Sequence, residues 1–342
     1  MTTIVSTAAG SLAAMPELSG VDRARFEAEV VPHARPVVLR GLASAWPAVA
    51  KGHESPVALA QYLASKDNGF PVDALMMRPE EGGRQFFDDK MIGFNYVGSR
   101  LPLSHVLEQI LRYAEFERAP AVVVQCAAIV ACMPEFKLDH VLSLLPESVE
   151  PRVWVGTATV TPAHFDESHN IAVCVAGHRR FTLFPPEQVA NLYVGPLDRA
   201  PSGRPISLVD FLKPDFDRFP RFRDALAHAQ VADLEPGDAI YMPPLWWHHV
   251  ESTARLNMLV NYWWDHPPSP GLATLIYASA ALRTLPLAQR EAWRHMFEHY
   301  VFDAPPDFAD HIPPERRTVL GDMSAEDHVR LRKFLSEKLA RG

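Results

Sequence analysis

The stretch NIAVCVAGHRRFTLFPP, residues 170–186, contains two short apolar runs separated by a turn. The first run ends at Gly177, and the second ends in two prolines. Short runs rich in β-branched and aromatic residues, bounded by glycine and proline, indicate β-strands. Because no helical segment lies between them, the two strands favour an antiparallel arrangement.

The same pattern extends over residues 121–265. Strand-length runs separated by proline and glycine turns recur there, and besides the two above they are AVVVQCAAIVA, RVWVGTATV, ADLEPGDAIYMPP and NMLVNYWWD. A series of strands without intervening helices is typical of an antiparallel sandwich or barrel. We therefore predict a β core over this part of the chain.

Helical periodicity marks the chain on both sides of this core. Residues 1–120 combine a strand signal, RPVVLRGL, with the run LPLSHVLEQILRYAEF, whose apolar residues recur at helical spacing. Residues 266–342 return to the helical period in LATLIYASAALRTL, QREAWRHMFEHYVF and SAEDHVRLRKFLSEKLARG. The sequence thus predicts an N-terminal α/β region that packs on the β core of residues 121–265, followed by a C-terminal helical region.

The composition is that of a globular enzyme. The chain has 342 residues, of which 48% are hydrophobic and 22% charged, and it is long enough to bury a sizeable core. Its net charge of −8 disfavours nucleic acid as a partner. Three cysteines form no disulfide framework, no secretory signal opens the chain, and no apolar run is long enough for a bilayer, so we expect a cytoplasmic protein.

The segment TPAHFDESHN, residues 161–170, holds the first candidate ligands. Residues two apart in a β-strand project to the same face, so His164 and Asp166 can point together into a barrel. One imidazole and one carboxylate are two members of the 2-His-1-carboxylate triad, which binds Fe(II) and leaves coordination positions open. The alternative is an ordinary hydrogen-bonded pair at the end of a strand.

A third ligand has to come from another strand, and PPLWWHHVES, residues 243–252, offers two histidines. Neighbouring residues on a strand face opposite ways, so only one of His248 and His249 can reach the same metal. Spacing alone does not say which one. The alternative is that these histidines and the preceding Trp246 and Trp247 cap the mouth of a barrel.

Four segments resemble, in order, the cupin-type branch of the Jumonji-C oxygenases. They are HFDESHN, GHRRFTLFPPEQVANLYVGPLD, PGDAIYMPPLWWHHVES and VNYWW, with a fainter match in RPVVLRGLASAWPAV. Members of this family use Fe(II) and 2-oxoglutarate on a double-stranded β-helix, and the chain most resembles the kind represented by the asparaginyl hydroxylase of hypoxia-inducible factor. The resemblance implies a fold that is mainly β, with a cupin or jelly-roll core and helical flanks.

The resemblance also implies a role for each matched position. His164, Asp166 and His248 would be the iron ligands, because His248 directly follows the Trp-Trp pair, and His249 would lie outside the ligand set. The matched positions implied for the cosubstrate pocket are Thr161, Asn170, Arg179, Asn261 and Trp263. For Trp263, a role in the core is the alternative.

Arg179 departs from the family pattern. The asparaginyl hydroxylase has a lysine there, which pairs with the distal carboxylate of 2-oxoglutarate. An arginine can bind a carboxylate through two parallel hydrogen bonds, so the function would be preserved in a slightly rearranged pocket. Arg180 is the competing residue, since neighbours on a strand point oppositely.

Three further residues have weaker signals. His169 follows His164 too distantly for the triad once His248 is available, and His178 is expected in a turn. Tyr96, in GFNYVG, is a candidate to close the cosubstrate pocket from the N-terminal region.

The activity implied by the resemblance is hydroxylation of a C–H bond by O2, with Fe(II) as cofactor and 2-oxoglutarate as cosubstrate. Analogy of fold favours a protein side chain as substrate. A small molecule, an RNA nucleoside, or a non-enzymatic cupin-like binding module are the alternatives. The apolar C-terminal helices favour a homodimer, as in the asparaginyl hydroxylase, and packing of these helices on their own barrel is the competing arrangement.

Overall fold

The computed structural model describes residues 12–201, 203–266 and 270–340. Its strands are β1 Ala13–Ala14, β2 Glu17–Ser19, β3 Val37–Arg40, β4 Pro71–Met77, β5 Tyr96–Pro102, β6 Ala121–Ala128, β7 Pro151–Gly156, β8 Thr159–His164, β9 His169–Ala176, β10 Arg179–Phe184, β11 Gln230–Leu234, β12 Ala239–Met242, β13 Trp247–Ser252 and β14 Asn257–Trp264. Its α-helices are α1 Arg23–Arg25, α2 Pro47–Glu54, α3 Pro56–Lys66, α4 Leu103–Tyr113, α5 Ile129–Cys132, α6 Phe136–Asp139, α7 Phe222–Ala227, α8 Gly271–Leu282, α9 Leu287–Phe297 and α10 Ala325–Leu339.

The strands form two sheets with a shared apolar core. The smaller sheet has the order β1-β11-β10-β13-β8, and the larger one has the order β2-β3-β12-β9-β14-β7-β6-β4-β5. Phe181 and Val250 of the smaller sheet belong to the same buried cluster as Ala172 and Leu259 of the larger sheet. This pair of mainly antiparallel sheets confirms the predicted jelly-roll core with helical elements.

Strand β9 explains why the opening stretch reads as a continuous apolar run. Val173 and Val175 belong to the buried cluster that includes residues of α2, α3 and α4. Ala172 and Cys174, which alternate with them, belong to the cluster between the two sheets. A strand buried on both faces needs apolar residues at successive positions, unlike a strand with one face in water.

The N-terminal strands belong to the same sheet as the β core. Strands β2, β3, β4 and β5, all from the first 120 residues, occupy both ends of the larger sheet. Close contacts between Cα atoms divide the chain into two compact units, the first ending at His266 and the second starting at Pro267. The N-terminal region is therefore a part of the first unit, and its buried residues share a cluster with those of the β core.

The second unit contains α8, α9 and α10, at the positions where the sequence predicts helices. Two strand predictions need a correction in the first unit. The run AVVVQCAAIVA is a strand only to Ala128, and Ile129–Cys132 is helical. The run RVWVGTATV is divided between β7, which ends at Gly156, and β8, which starts at Thr159. Within the described residues, no helix combines the length and the apolar character that a bilayer crossing requires.

His140 is a buried histidine that ties helices together in the first unit. Its Nε2 accepts the backbone N–H of Ala48 at 3.1 Å, and its Nδ1 lies 2.7 Å from the carbonyl oxygen of Phe136. Burial lowers the pKa of His140 below its usual value, although the hydrogen bond to Phe136 opposes the shift. The neutral ring is therefore the form that fits the folded protein.

We expect the lowered pKa of His140 to make the stability of the protein depend on pH. Since the folded-state pKa is below the unfolded value near 6.5, the unfolded chain binds more protons in the acidic window, and stability is lost as pH falls below about 6.5. Urea unfolding from about pH 7.5 to about pH 5.5 should show a smaller loss for His140→Gln than for the natural protein. His105→Gln, an exposed control on α4, should leave the slope unchanged. An unchanged slope in His140→Gln would contradict the assignment.

Candidate metal and cosubstrate site

Three predicted ligands meet where β8 ends and β13 begins in the smaller sheet. His164 closes β8 and pairs directly with His248 of β13. Their rings are 4.2 Å apart between centroids, and Nε2 of His248 lies 3.8 Å from Oδ2 of Asp166. The potential ligand atoms of the three residues all lie within 4.8 Å of one another, and no other such group occurs in the described part of the chain. The structure thus brings the three side chains together as a possible metal site.

Backbone carbonyl groups orient both histidines. Nδ1 of His164 lies 2.9 Å from the carbonyl oxygen of Pro162, and Nδ1 of His248 lies 3.0 Å from that of Trp246. A ring that donates its Nδ1–H to a carbonyl keeps Nε2 as the lone-pair nitrogen, which is the arrangement of metal-binding histidines. Burial, followed by the neighbouring His248, lowers the pKa of His164 and favours its neutral, metal-binding form.

Asp166 is held by side chains that were predicted to contact the cosubstrate. Its Oδ2 accepts hydrogen bonds from Nε1 of Trp263 at 2.8 Å and from Nδ2 of Asn170 at 3.0 Å. Asn261 in turn donates to Oδ1 of Asn170 at 2.9 Å. Burial would raise the pKa of Asp166, but His248, His164 and the two donors together lower it, so the carboxylate is ionised.

Asn170, Asn261 and Trp263 therefore lie beside the candidate metal site as well as in the cavity wall. All three line the cavity described below, as a cosubstrate role requires. Their donor groups nevertheless point to Asp166 and to one another, because a buried carboxylate needs several donors to remain charged.

Trp263→Phe should therefore weaken metal binding while keeping an aromatic ring. We expect affinity for Mn(II), a redox-stable probe, to fall by about 10- to 100-fold, as for other hydrogen-bond partners of metal ligands. Trp264→Phe is the matched control, since Trp264 stacks on His169 instead. Calorimetric titration of both variants with Mn(II) checks this. Equal Mn(II) affinities of the two variants would show that the hydrogen bond from the indole to Asp166 has no role in metal binding.

His249 lies on the opposite face of β13. Its ring stacks on Phe211 at 4.5 Å between centroids, and it is buried. Phe211 belongs to an apolar cluster with Phe184, Phe222 and Trp247, outside the core between the sheets. Strand alternation thus separates the two adjacent histidines, and His249 is not a member of the ligand group.

Arg179 is a buried cation without a partner for its Nε. That atom is shielded from solvent and has no hydrogen-bond partner among the described residues, and the side chain lines the same cavity as the triad. Burial lowers the pKa of Arg179 to about 10, which still leaves it charged near neutral pH. A buried guanidinium in this state is suited to an anionic ligand.

Arg180 has a different environment. Its Nε and Nη2 donate to the two carboxylate oxygens of Asp233 at 2.9 and 2.8 Å. This pair occupies the Nε–Nη2 edge of the guanidinium, and Arg180 is not among the residues that line the cavity. Of the two arginines, Arg179 is therefore the one that lines the cavity with an unpartnered Nε.

One cavity of about 1380 Å³ contains the triad, Arg179 and Thr161. That volume is above the range of about 300–1,000 Å³ that is usual for small-ligand pockets. It offers space for a five-carbon cosubstrate and for part of a larger substrate. The cavity wall near the triad is partly apolar, with Phe181, Met242 and Leu259 among its residues.

The other aromatic and histidine candidates lie outside the ligand group. His169 bonds through Nδ1 to the Tyr241 hydroxyl at 2.8 Å, and His178 is 3.4 Å from Asp233. Tyr96 donates its hydroxyl to the carbonyl oxygen of Pro201, a residue that lines the cavity. Tyr96 thus contacts the wall of the cavity without lining it.

The sequence gives no signal for one backbone contact that joins the two ligand-bearing loops. The N–H of Leu245, which precedes His248, donates to the carbonyl oxygen of Asp166 at 2.8 Å. Leu245 has a φ of 66°, in the left-handed region that a bulky side chain seldom adopts. Strain of this kind persists where surrounding structure holds it, often at functional sites.

The donor set fits a specific class of metal. Two imidazoles and one carboxylate, grouped on one side of the cavity, match the 2-His-1-carboxylate ligation of non-haem Fe(II) oxygenases. The hydrogen bonds on Nδ1 of both histidines and on Asp166 supply the outer support that such sites need.

Comparison with known proteins identifies similar chains. Residues 23–270 match the family described as Cupin-like domain. The chain is 32% identical over 129 residues to JmjC domain-containing protein F of Dictyostelium discoideum and 36% identical over 116 residues to HSPB1-associated protein 1 of Homo sapiens. It is also 32% identical over 113 residues to Lysine-specific demethylase JMJ31 of Arabidopsis thaliana.

These three matches cover 34%, 33% and 33% of this chain and 27%, 23% and 20% of the relatives. The chain thus matches about a quarter of the length of these curated relatives.

Proposed function

Because this chain belongs to the cupin-like Jumonji-C family, which is of the 2-oxoglutarate oxygenase type, we propose that it is an Fe(II)- and 2-oxoglutarate-dependent hydroxylase of protein side chains. The observation that supports this best is the joint presence, in one cavity, of the His164, Asp166 and His248 group and the partnerless Arg179. The first is suited to the metal and the second to the distal carboxylate of the cosubstrate.

The narrower likeness to the asparaginyl hydroxylase of hypoxia-inducible factor remains a prediction.

Each group of residues has a distinct task in this proposal. Fe(II) and 2-oxoglutarate, when bound, supply the O2 chemistry: one oxygen atom enters the substrate C–H bond, the other enters succinate, and CO2 leaves. His164, Asp166 and His248 hold the metal, and Arg179 orients the cosubstrate. Apolar wall residues restrict water around the reacting groups.

A polypeptide substrate is supported by the size of the cavity, which exceeds the needs of the cosubstrate. The name of the Arabidopsis relative, Lysine-specific demethylase, concerns a protein side chain as well. Demethylation by such enzymes starts with the same oxygen insertion, at an N-methyl group, so it is a variant of the proposed chemistry. The net charge of −8 gives no support to an RNA substrate.

Metal-dependent release of succinate tests the proposal directly. The protein with Fe(II), 2-oxoglutarate and O2 should release more succinate than the protein without metal. No peptide is needed for this assay, because many enzymes of this type convert 2-oxoglutarate slowly in the absence of the substrate that they hydroxylate. Added peptides that are substrates should gain one oxygen atom by mass spectrometry. A protein that binds Fe(II) and 2-oxoglutarate but releases no succinate would be a binding module.

We further propose a homodimer built through the C-terminal unit. Helix α8 has no charged residue and no buried one, and Leu275 and Tyr277 are 50% and 57% exposed. On α9, Trp293 and Met296 are 45% and 49% exposed. An isologous pairing of these helices would remove this apolar surface from water.

Light scattering at micromolar concentration should give the mass of a dimer for the intact protein. Truncation after residue 268 should give a monomer or an aggregate with reduced activity. Leu275→Asp, which keeps the whole chain, should also shift the mass towards a monomer. A monomeric intact protein would refute the dimer, and a dimer that survives truncation would place its interface elsewhere.

A further inference from the structure

The larger sheet continues past the metal site and forms one wall of the cavity. Beyond Asn261 on β14, the wall consists of residues on β7, β6, β4 and β5, in the order of the sheet. Polar and glycine residues on these strands that line the cavity are Arg152, Gln125, Cys126, Asp73, Gly98, Ser99 and Arg100. We call this surface the outer wall.

Among the described residues, four arginines line the cavity, and two of them, Arg100 and Arg204, have a carboxylate partner. Arg100 lies 3.3 Å from Asp73, and Arg204 lies 2.5 Å from Glu167. Arg152 differs, since its Nη1 donates a hydrogen bond of 3.5 Å to the carbonyl oxygen of Cys126. Among the described residues, no carboxylate forms an ion pair with Arg152, which is solvent-exposed.

Gln125 is presented to the cavity by an irregular strand. The register between β6 and β7 shifts between Val124 and Ala127, and Cys126 has a φ of 53°, in the left-handed region. A bulge of this kind redirects side chains and is frequent beside active sites. The Gln125 amide forms no hydrogen bond with any described side chain or backbone group, so its donors and acceptor are free for a ligand.

Arg152 is close to the reacting end of the cavity. It is the direct partner of Asn261 across β7 and β14, and Asn261 belongs to the hydrogen-bonded chain that ends at Asp166. Neighbouring strands are about 4.8 Å apart, so about two strand spacings separate Arg152 from Asn170 on β9. An extended peptide covers that distance with about three residues.

From these observations we infer that Arg152 and Gln125 recognise the substrate, and that the substrate is a polypeptide with an acidic residue about three positions from the modified one. Arg152 pairs with the Asp or Glu carboxylate, and the Gln125 amide bonds to the peptide backbone. The inference rests on the proposed function and adds a substrate class to it. The outer wall beyond these residues, up to the edge strand β5, gives the peptide a surface to lie on.

A degenerate peptide library provides the probe. The intact protein is loaded with Fe(II) and 2-oxoglutarate and incubated with 15-residue peptides of random sequence, and the products that gain one oxygen are sequenced by mass spectrometry. Modified peptides should contain Asp or Glu at one fixed offset, about tenfold more often than Lys or Arg. Arg152→Glu should reverse this preference at the same offset, and Gln125→Ala should reduce overall peptide turnover.

Arg118→Glu is the matched charge control. Arg118 is exposed, lies outside the cavity and is 4.0 Å from Glu80, so its reversal should leave the preference unchanged. An unchanged preference in Arg152→Glu, or products with no acidic preference, would overturn the inference. Succinate release by the natural protein without peptides distinguishes a failure of the substrate inference from a failure of the proposed function. If succinate forms and no peptide is modified, the polypeptide substrate is wrong; if none forms, the proposed function fails first.

Discussion

Asp166→Ala is expected to remove metal-dependent activity. The substitution deletes the anionic ligand from the group formed with His164 and His248, and it leaves the donors of Asn170 and Trp263 without their acceptor. Since the loss of a mere hydrogen-bond partner weakens metal affinity by about 10- to 100-fold, the loss of the ligand should exceed about 100-fold. Anaerobic titration with Fe(II) and assay of succinate release measure both consequences.

His249→Ala is the control for this experiment. His249 is as buried as His248 but stacks on Phe211 on the other face of β13, so the variant should keep its Fe(II) stoichiometry even if it is less stable. Equal loss of iron in both variants would contradict the ligand assignment. So would full iron occupancy in Asp166→Ala.

Arg179→Ala should act on the cosubstrate and spare the metal. A charge-assisted pair with a carboxylate is worth about 2 to 3 kcal/mol, which corresponds to a rise in KM for 2-oxoglutarate of about 30- to 150-fold. Fe(II) affinity should stay close to that of the natural protein, because Arg179 is not in the ligand group. Steady-state kinetics and Fe(II) titration of the same preparation separate the two effects.

Thermal unfolding adds a readout that does not depend on turnover. Arg179 is a buried cation whose Nε lacks a partner, so its removal should not lower the Tm of the protein without cosubstrate. Stabilisation by added 2-oxoglutarate should, however, be lost. Arg180→Ala breaks the pair with Asp233 and should leave both the KM and this stabilisation intact. The reverse pattern would mean that Arg180 binds the cosubstrate.

Strand alternation explains why much of the site is predictable from the sequence. Two-residue spacing predicts that His164 and Asp166 share a face, and adjacency predicts that only one of His248 and His249 can join them. The choice between these two depends on the register between β8 and β13, which pairs His164 with His248. Register is a property of two strands, so the resemblance to a known family had to supply it.

Other features depend on contacts that no local pattern contains. Trp263 reaches Asp166 across 97 positions of sequence, and Asn261 reaches Asn170 across 91. Strands β4 and β5 likewise join the core strands in one sheet through pairing of segments that are distant in sequence. Helical and strand periods report which face of an element is buried, but they do not report which element covers it.

The contact of Leu245 with Asp166 restricts where the chain can tolerate insertions and deletions. The N–H of Leu245 is fixed to Asp166, and β13 starts shortly after it. A single insertion or deletion between these two points would shift β13 by one residue and exchange the faces of His248 and His249. Between β10 and β11, by contrast, the chain crosses the outer side of the smaller sheet through the cluster of Phe211 and Phe222. Length changes in that long connection lie outside the segment that fixes the register of β13, so they do not exchange the faces of His248 and His249. Insertions and deletions should therefore be tolerated between β10 and β11 more readily than between Leu245 and Trp247.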